Sequence, residues 1–121
     1  MSDGSFRLIV HQGINPGKLD EFTETTRKIT AGCEASEPGT LGYEWFFAED
    51  GTECYLNEFY ANSEAFVTHF GNIGPVLKET LKISSLLDVT VFGDPSPEAR
   101  GMLAALGARF YAPSVGFCRL R

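Results

Sequence analysis

Two neighbouring predicted strands are apolar on both of their faces, and this pattern limits the folds open to the chain. The strands span residues 41–48 and 53–60, and Asp50-Gly51 between them is typical of a two-residue hairpin turn. One face then carries Leu41, Tyr43, Trp45 and Phe47 beside Cys54, Leu56, Glu58 and Tyr60. The other face carries Gly42, Glu44, Phe46 and Ala48 beside Glu53, Tyr55, Asn57 and Phe59. A sheet face in contact with water is normally polar, so we expect both faces of this hairpin to be covered.

A strand and a helix are predicted before the hairpin. Residues 6–12 are rich in β-branched and apolar side chains, which favours a strand. Asn15-Pro16 favours the start of a helix, with Asn15 as the N-cap and Pro16 in the first helical position. An apolar stripe then recurs at helical spacing through Leu19, Phe22, Thr26, Ile29 and Cys33.

A second helix is predicted after the hairpin, with Asn62 or Ser63 as its N-cap. Its apolar stripe runs through Phe66, Phe70, Ile73, Leu77 and Leu81. Gly71, Gly74 and Pro75 interrupt this stripe, so we expect either a kink or two shorter helices.

The order of these elements predicts a ferredoxin-like α+β fold. A fourth strand is expected over residues 86–92, which completes βαββαβ: a four-stranded antiparallel sheet with both helices on one face. We assign residues 1–93 to this domain. Residues 94–121 are expected to form an additional C-terminal helix, capped by Ser96, and an arm that packs on the same domain or on a dimer mate.

The uncovered face of the sheet predicts a homodimer. Leaving about 600 Å² of apolar surface in water would forfeit about 15 kcal/mol, and two-fold self-association is the commonest way of burying such a face. The alternative is that the C-terminal helix folds back over it.

Composition excludes several classes of protein. A net charge of −6 argues against nucleic acid and anionic membrane surfaces as partners, and no apolar run is long enough to span a bilayer. The N-terminal sequence lacks the basic and apolar regions of a signal peptide. Cys33, Cys54 and Cys118 form no paired motif, which favours reduced thiols in the cytoplasm and makes a zinc site improbable.

One stretch of the sequence resembles a known family. Leu56-Asn57-Glu58-Phe59-Tyr60, then Ser63-Glu64-Ala65-Phe66 and His69, are similar to the antibiotic biosynthesis monooxygenase family of the dimeric α/β-barrel group. Pro38-Gly39-Thr40-Leu41-Gly42-Tyr43 resembles the same family. The resemblance covers roughly residues 6–93 and implies a homodimer, and a small aromatic or quinone-like ligand.

The family includes cofactor-independent monooxygenases, haem-degrading enzymes and isomerases. In the haem-degrading branch a tryptophan stands where this chain has Tyr60, and a haem-ligating histidine lies late in the second helix. Residues 76–82 contain no histidine, so the resemblance implies chemistry without haem, metal or another cofactor.

Glu58 and His69 are the candidate catalytic residues. A carboxylate that accepts a hydrogen bond from one imidazole nitrogen leaves the other nitrogen able to remove a phenolic proton. The resulting anion is electron-rich enough to reduce dioxygen directly. The alternative is that Glu58 and His69 only join strand to helix.

Trp45, Tyr43, Asn57 and His11 are the candidate substrate-binding residues. The two aromatic rings could stack on a planar substrate, although alternating aromatics on a buried strand are more often core. Asn57 is a mid-strand amide that needs a partner, and His11 lies on the first strand, near either a pocket or the dimer seam.

The sequence therefore predicts a cofactor-free monooxygenase of this type. Two alternatives stay open: a non-catalytic, metabolite-binding or stress-associated dimer, and an isomerase of a small carbonyl compound that uses the same base.

Overall fold

A computed structural model describes residues 4–120 and confirms the predicted order of strands and helices. The elements, in chain order, are β1 (Phe6–Ile14), α1 (Leu19–Ser36), β2 (Thr40–Phe47), β3 (Glu53–Tyr60), α2 (Ser63–Thr80), β4 (Ser84–Phe92), α3 (Pro97–Ala104) and β5 (Arg109–Tyr111).

The sheet has the strand order β2-β3-β1-β4-β5. β1 lies in the centre and pairs antiparallel with β3 and with β4, which confirms the ferredoxin-like arrangement. The sheet has five strands rather than the four that we expected, because α3 returns the chain so that β5 pairs parallel with β4. The Gly93 N–H donates to the Tyr111 carbonyl at 3.0 Å, and Arg109 pairs with Asp88 at 2.8 Å.

The hairpin has the predicted register from Gly42 to Phe47 but a longer loop. The register shifts between Thr40 and Gly42, and Leu41, which was expected on the face of Tyr43, is 54% exposed. Trp45 lies opposite Leu56, as a turn centred on Asp50-Gly51 requires. The strands nevertheless end before that turn, and the Ala48 N–H donates to the Glu53 carbonyl at 2.9 Å. The Asp50 carboxylate accepts a hydrogen bond from the Thr52 N–H. This side-chain bond replaces a backbone hydrogen bond between the two strands at the turn.

The expectations for the two long helices need correction. α1 begins at Leu19, and its N-cap is Lys18 rather than Asn15. Asn15-Pro16 instead begins a turn, which the Lys18 N–H closes by donating to the Asn15 carbonyl at 3.0 Å. α2 continues as one helix through Pro75, which lies on its exposed side, where water can hydrate a carbonyl that loses its partner.

The predicted caps of α2 and α3 are confirmed. Asn62 accepts a hydrogen bond from the Ala65 N–H at 2.8 Å, and Ser96 accepts one from the Ala99 N–H at 3.2 Å. Both side chains satisfy a backbone donor that the first helical turn would otherwise leave unpaired.

All three helices pack against the same face of the sheet, which we call the inner face. Phe6, Leu8 and Val10 of β1 are buried there, and α3 adds Ala99 and Leu103 to the same core. The alternative that the C-terminal helix covers the other face, the outer face, is therefore wrong. No helix within residues 4–120 is long and apolar enough to cross a lipid bilayer.

The outer face keeps large apolar side chains exposed. Phe46 is 54% exposed, Tyr55 46% and Phe92 42%, although the C-terminal segment reaches this face at Arg7, which donates to Cys118 Sγ at 3.1 Å. Ring stacking of Phe92 on Tyr111 and of Tyr55 on His11 covers part of this surface from within the chain. Phe46 keeps more than half of its surface in contact with water.

We predict that Gly39→Ala destabilises the fold and that Ala65→Gly restores part of the loss. A Cβ atom at Gly39 would lie 2.6 Å from the Ala65 Cβ, where the connection after α1 crosses the start of α2. Overpacking of this kind costs about 1–3 kcal/mol, and removing the Ala65 methyl group relieves it. Urea unfolding of both single variants and of the double variant measures the coupling.

The matched control is Gly71→Ala, whose added methyl group meets no atom within 4 Å. It should stabilise α2 by up to about 1 kcal/mol, since alanine favours a helix over glycine. Additive effects of Gly39→Ala and Ala65→Gly would contradict the proposed clash.

Candidate functional site

A cavity of about 60 Å³ lies between the inner face of the sheet and the helices. Its wall is mostly apolar and includes Leu8, Val10, Leu56, Phe66, Phe70, Ile73, Leu77 and Leu103. The polar side chains that reach it are Gln12, Tyr43, Glu58, His69 and Thr80. A few polar groups in an apolar, sheltered space are the usual composition of a ligand site.

His69 is buried in the middle of α2 and is held by Glu37, the C-cap residue of α1. The His69 Nδ1 atom lies 2.7 Å from the Glu37 Oε1 atom. Asn72 donates to the other carboxylate oxygen at 2.9 Å, and Thr40 donates to the first at 3.0 Å. Three donors, two from α2 and one from β2, thus converge on one carboxylate.

The pKa values of Glu37 and His69 show which of the two side chains carries the shared proton. Burial would raise the pKa of Glu37, but the hydrogen bonds from Asn72, His69 and Thr40 outweigh it and leave the pKa below its ordinary value. Burial lowers the pKa of His69, and Glu37 opposes this only in part. Glu37 is therefore a carboxylate and His69 a neutral imidazole that donates its Nδ1–H to it.

The other imidazole nitrogen of His69, Nε2, lies on the side of the ring that lines the cavity. Nε2 is buried and has no hydrogen-bond partner among the described residues. Because Nδ1 carries the proton, Nε2 carries a lone pair that can accept one. A buried acceptor without a partner costs about 1–3 kcal/mol, so an unpaired imidazole nitrogen that faces a cavity is a strong indication of a site.

Glu58 is the second buried carboxyl group of the site. Its Oε1 atom lies 3.8 Å from His69 Nε2 and accepts a short hydrogen bond from the Tyr60 hydroxyl. Burial raises the pKa of Glu58 to about 7; the bond from Tyr60 lowers it, and the charge of Glu37 raises it further. Near neutral pH Glu58 can therefore hold a proton or release it.

The expectation that Glu58 orients His69 is corrected by this geometry. The carboxylate that bonds to the imidazole is Glu37, whereas 3.8 Å is beyond a hydrogen bond between Glu58 and Nε2. Nothing in the sequence distinguishes Glu37 from the exposed acids of α1. Its burial arises only when the α1–β2 connection packs on α2.

The four candidate binding residues divide between the two faces of the sheet. Tyr43 and Trp45 line the cavity: the Tyr43 ring lies 5.0 Å from the imidazole of His69, and Trp45 Nε1 donates to Thr30 at 3.0 Å. Asn57 lies exposed on the outer face.

His11 also lies on the outer face, away from the cavity. Its ring stacks on Tyr55 at 4.3 Å, and its Nε2 atom lies 2.5 Å from Glu53. The structure therefore does not bring Asn57 or His11 to His69.

Cys33, Glu37 and His69 have donor atoms within 4.8 Å of one another, close enough to hold a metal ion. Cys33 Sγ lies 3.4 Å from the same Nδ1 atom that bonds to Glu37. Burial, reinforced by Glu37 and Glu58, raises the pKa of Cys33 to about 12, so Cys33 is a protonated thiol at neutral pH. Hydrogen bonding to a shared imidazole nitrogen explains why these groups converge.

We predict that Glu58→Gln removes a specific part of the pH dependence of stability. The folded chain keeps the Glu58 proton up to about pH 7, whereas the unfolded chain releases it near the ordinary value of 4.5. The free energy of unfolding therefore falls as the pH rises through this window, by about 3 kcal/mol. Glutamine does not ionise, so urea unfolding of the variant between pH 4 and 8 should show a smaller fall.

Glu34→Gln, on the exposed side of α1, is the control and should retain the wild-type pH dependence. Identical pH profiles for Glu58→Gln and the wild type would show that Glu58 ionises normally in the folded chain.

The fold is shared with solved structures of other proteins. MupZ from Pseudomonas fluorescens is similar over 95% of this chain and 94% of its own, with 23% identity and a TM-score of 0.82. Rv0793 from Mycobacterium tuberculosis is similar over 72% of this chain and 91% of its own, with 19% identity and a TM-score of 0.64. PA3566 from Pseudomonas aeruginosa is similar over 73% of this chain and 89% of its own, with 19% identity and a TM-score of 0.60.

No curated protein matches the chain. The sequence profile of the antibiotic biosynthesis monooxygenase family matches residues 5–73, which include β1, the hairpin, Glu37, Glu58 and His69. With more than half of its length matched, the chain belongs to the antibiotic biosynthesis monooxygenase family.

Proposed function

We propose that this protein is a cofactor-independent monooxygenase that acts on a small hydroxylated aromatic or quinol-like compound. The observation that carries the proposal is the neutral His69, whose unpaired Nε2 atom faces the cavity while Glu37 holds the Nδ1 proton. This is the arrangement that a general base needs.

His69 and Glu58 together can bind one substrate oxygen. Two atoms 3.8 Å apart can each lie about 2.8 Å from the same hydroxyl group. In this pose His69 accepts the hydroxyl proton at Nε2. Protonated Glu58 can donate to the same oxygen, which stabilises the anion as its charge develops. Tyr43 and Trp45 would lie against the ring of the substrate.

The substrate anion itself is the reductant in this mechanism. For an anthrone-type substrate, the ring CH₂ group becomes a carbonyl group and loses four electrons, which dioxygen gains. One oxygen atom enters the new carbonyl group and the other leaves as water with the two hydrogens of the CH₂ group. The electrons come from the organic anion, so the step requires neither a metal nor a flavin.

We further propose that the protein is a homodimer formed through the outer faces of two sheets. This is supported by the exposed Phe46, Tyr55 and Phe92 side chains on a face that α3 does not cover. A cytoplasmic location is proposed because Cys33, Cys54 and Cys118 form no disulfide within residues 4–120.

We predict that His69→Asn lowers oxygen consumption by about 100-fold or more with a panel of naphthohydroquinones and anthrones. Asparagine can place its amide N–H near the Nδ1 position, which keeps a donor for Glu37, but it has no base at the Nε2 position. An oxygen electrode measures the rate. Thr68→Ala, which changes the exposed neighbour of His69 in α2, should retain wild-type activity.

Unchanged consumption in His69→Asn would remove the proposed base. Substrate conversion that continues under anaerobic conditions would instead identify an isomerase. Quenching of Trp45 fluorescence without any conversion would identify a metabolite-binding protein.

We predict that Phe46→Asp converts the dimer to a monomer in sedimentation velocity. Burying a carboxylate without a partner between two sheet faces costs several kcal/mol of dimer stability. The contacts that one interface residue makes cannot offset this cost. Leu81→Asp changes an exposed apolar side chain on the helical side and should leave the dimer intact. A wild-type protein that sediments as a monomer at micromolar concentration would contradict the assembly.

A further inference from the structure

We propose, on the basis of the proposed function, that the substrate carries an apolar chain on its ring and that this chain binds in a groove between α1 and α2. The groove has a volume of about 470 Å³ and is lined by Thr25, Lys28, Ile29, Pro75, Val76 and Glu79. The hydroxyl group of the ring remains at His69, so the ligand spans two spaces.

Ile29 lies between the cavity and the groove. Its side chain lines the cavity that contains His69 and also lines the groove. It is half-buried, so it separates an interior wall from a surface wall. Among the described residues it is the one side chain that lines both spaces, so we propose that the ligand passes from one to the other beside it.

Residues of α2 also line both the cavity and the groove, on the side opposite Ile29. Ile73 and Leu77 line the cavity, whereas Pro75 and Val76 of the same turns line the groove. The helix thus separates the two spaces along one side, and Ile29 separates them where α1 approaches.

The volumes favour a ligand that extends beyond the cavity. About 60 Å³ is far below the 300–1,000 Å³ typical of sites for organic ligands, whereas the groove alone lies within that range. A fused ring does not fit in the cavity alone, and the proposed ligand extends past Ile29, which lines both spaces.

The groove beyond that wall suits an uncharged aliphatic group. Ile29, Pro75 and Val76 form its apolar surface, and the charged Lys28 and Glu79 are exposed at its rim. The two charges are opposite in sign, so neither a cationic nor an anionic chain is favoured there. The inferred substrate class is a hydroxylated aromatic ring with a linear alkyl or alkoxy substituent.

The test uses 4-alkoxy-1-naphthols with chains from methoxy to hexyloxy and measures quenching of Trp45, the single tryptophan, which lines the cavity. In the wild type each added CH₂ group should lower Kd up to about 4-fold, corresponding to about 0.8 kcal/mol of apolar burial. Ile29→Phe fills the passage, so its Kd should vary less than 3-fold along the series, whatever its Kd for the methoxy compound.

Ile29→Val is the matched variant at the same position and should keep the dependence on chain length. Val76→Ser places a hydroxyl group in the groove and should weaken hexyloxynaphthol at least 5-fold more than methoxynaphthol. Together these variants distinguish groove binding from the greater general hydrophobicity of longer chains.

The inference is overturned if the wild type shows no dependence on chain length, or if Ile29→Phe shows the same dependence as the wild type. His69-dependent oxygen consumption with the methoxy compound would then still support the proposed function. Loss of that consumption with an intact chain-length dependence would overturn the chemistry and retain the groove.

Discussion

The hydrogen bond between Glu37 and His69 is the interaction on which the rest of the site depends. It joins the end of α1 to the middle of α2 over the inner face of the sheet, with both side chains buried. Removing the carboxylate would leave the Nδ1–H without an acceptor, and removing the imidazole would leave a charge in the interior. The same bond selects the tautomer, so a structural contact also sets the chemistry that Nε2 can perform.

Two buried carboxyl groups with opposite pKa shifts flank this imidazole. Glu37 accepts hydrogen bonds from three side chains, which stabilise its charge, whereas Glu58 accepts one from Tyr60 and is otherwise desolvated. Environments that separate the pKa values of neighbouring acids commonly divide the roles of acid and base between them. In the proposed mechanism Glu37 orients His69, the base, and Glu58 supplies or takes a proton on the side of the substrate.

The features that could be predicted from the sequence are those fixed by local patterns. The register of the hairpin follows from alternation around Asp50-Gly51, and the Asn62 cap follows from its position before an apolar helical stripe. His69 can be predicted because it lies, with Glu58, in the stretch that resembles the family. Glu37 was missed because its burial depends on Gly39 packing against Ala65, a contact between segments distant in the chain.

The C-terminal residues also contain an element, β5, that local sequence patterns do not predict. β5 has three residues, too few for alternation to indicate a strand, and it forms only because α3 packs on the core and presents it to the edge of β4. That packing has a consequence for assembly. Since α3 is occupied on the inner face, the chain has no described element left to cover Phe46 and Tyr55. A second copy would supply an equally apolar face, so the proposed dimer would bury these side chains on both chains.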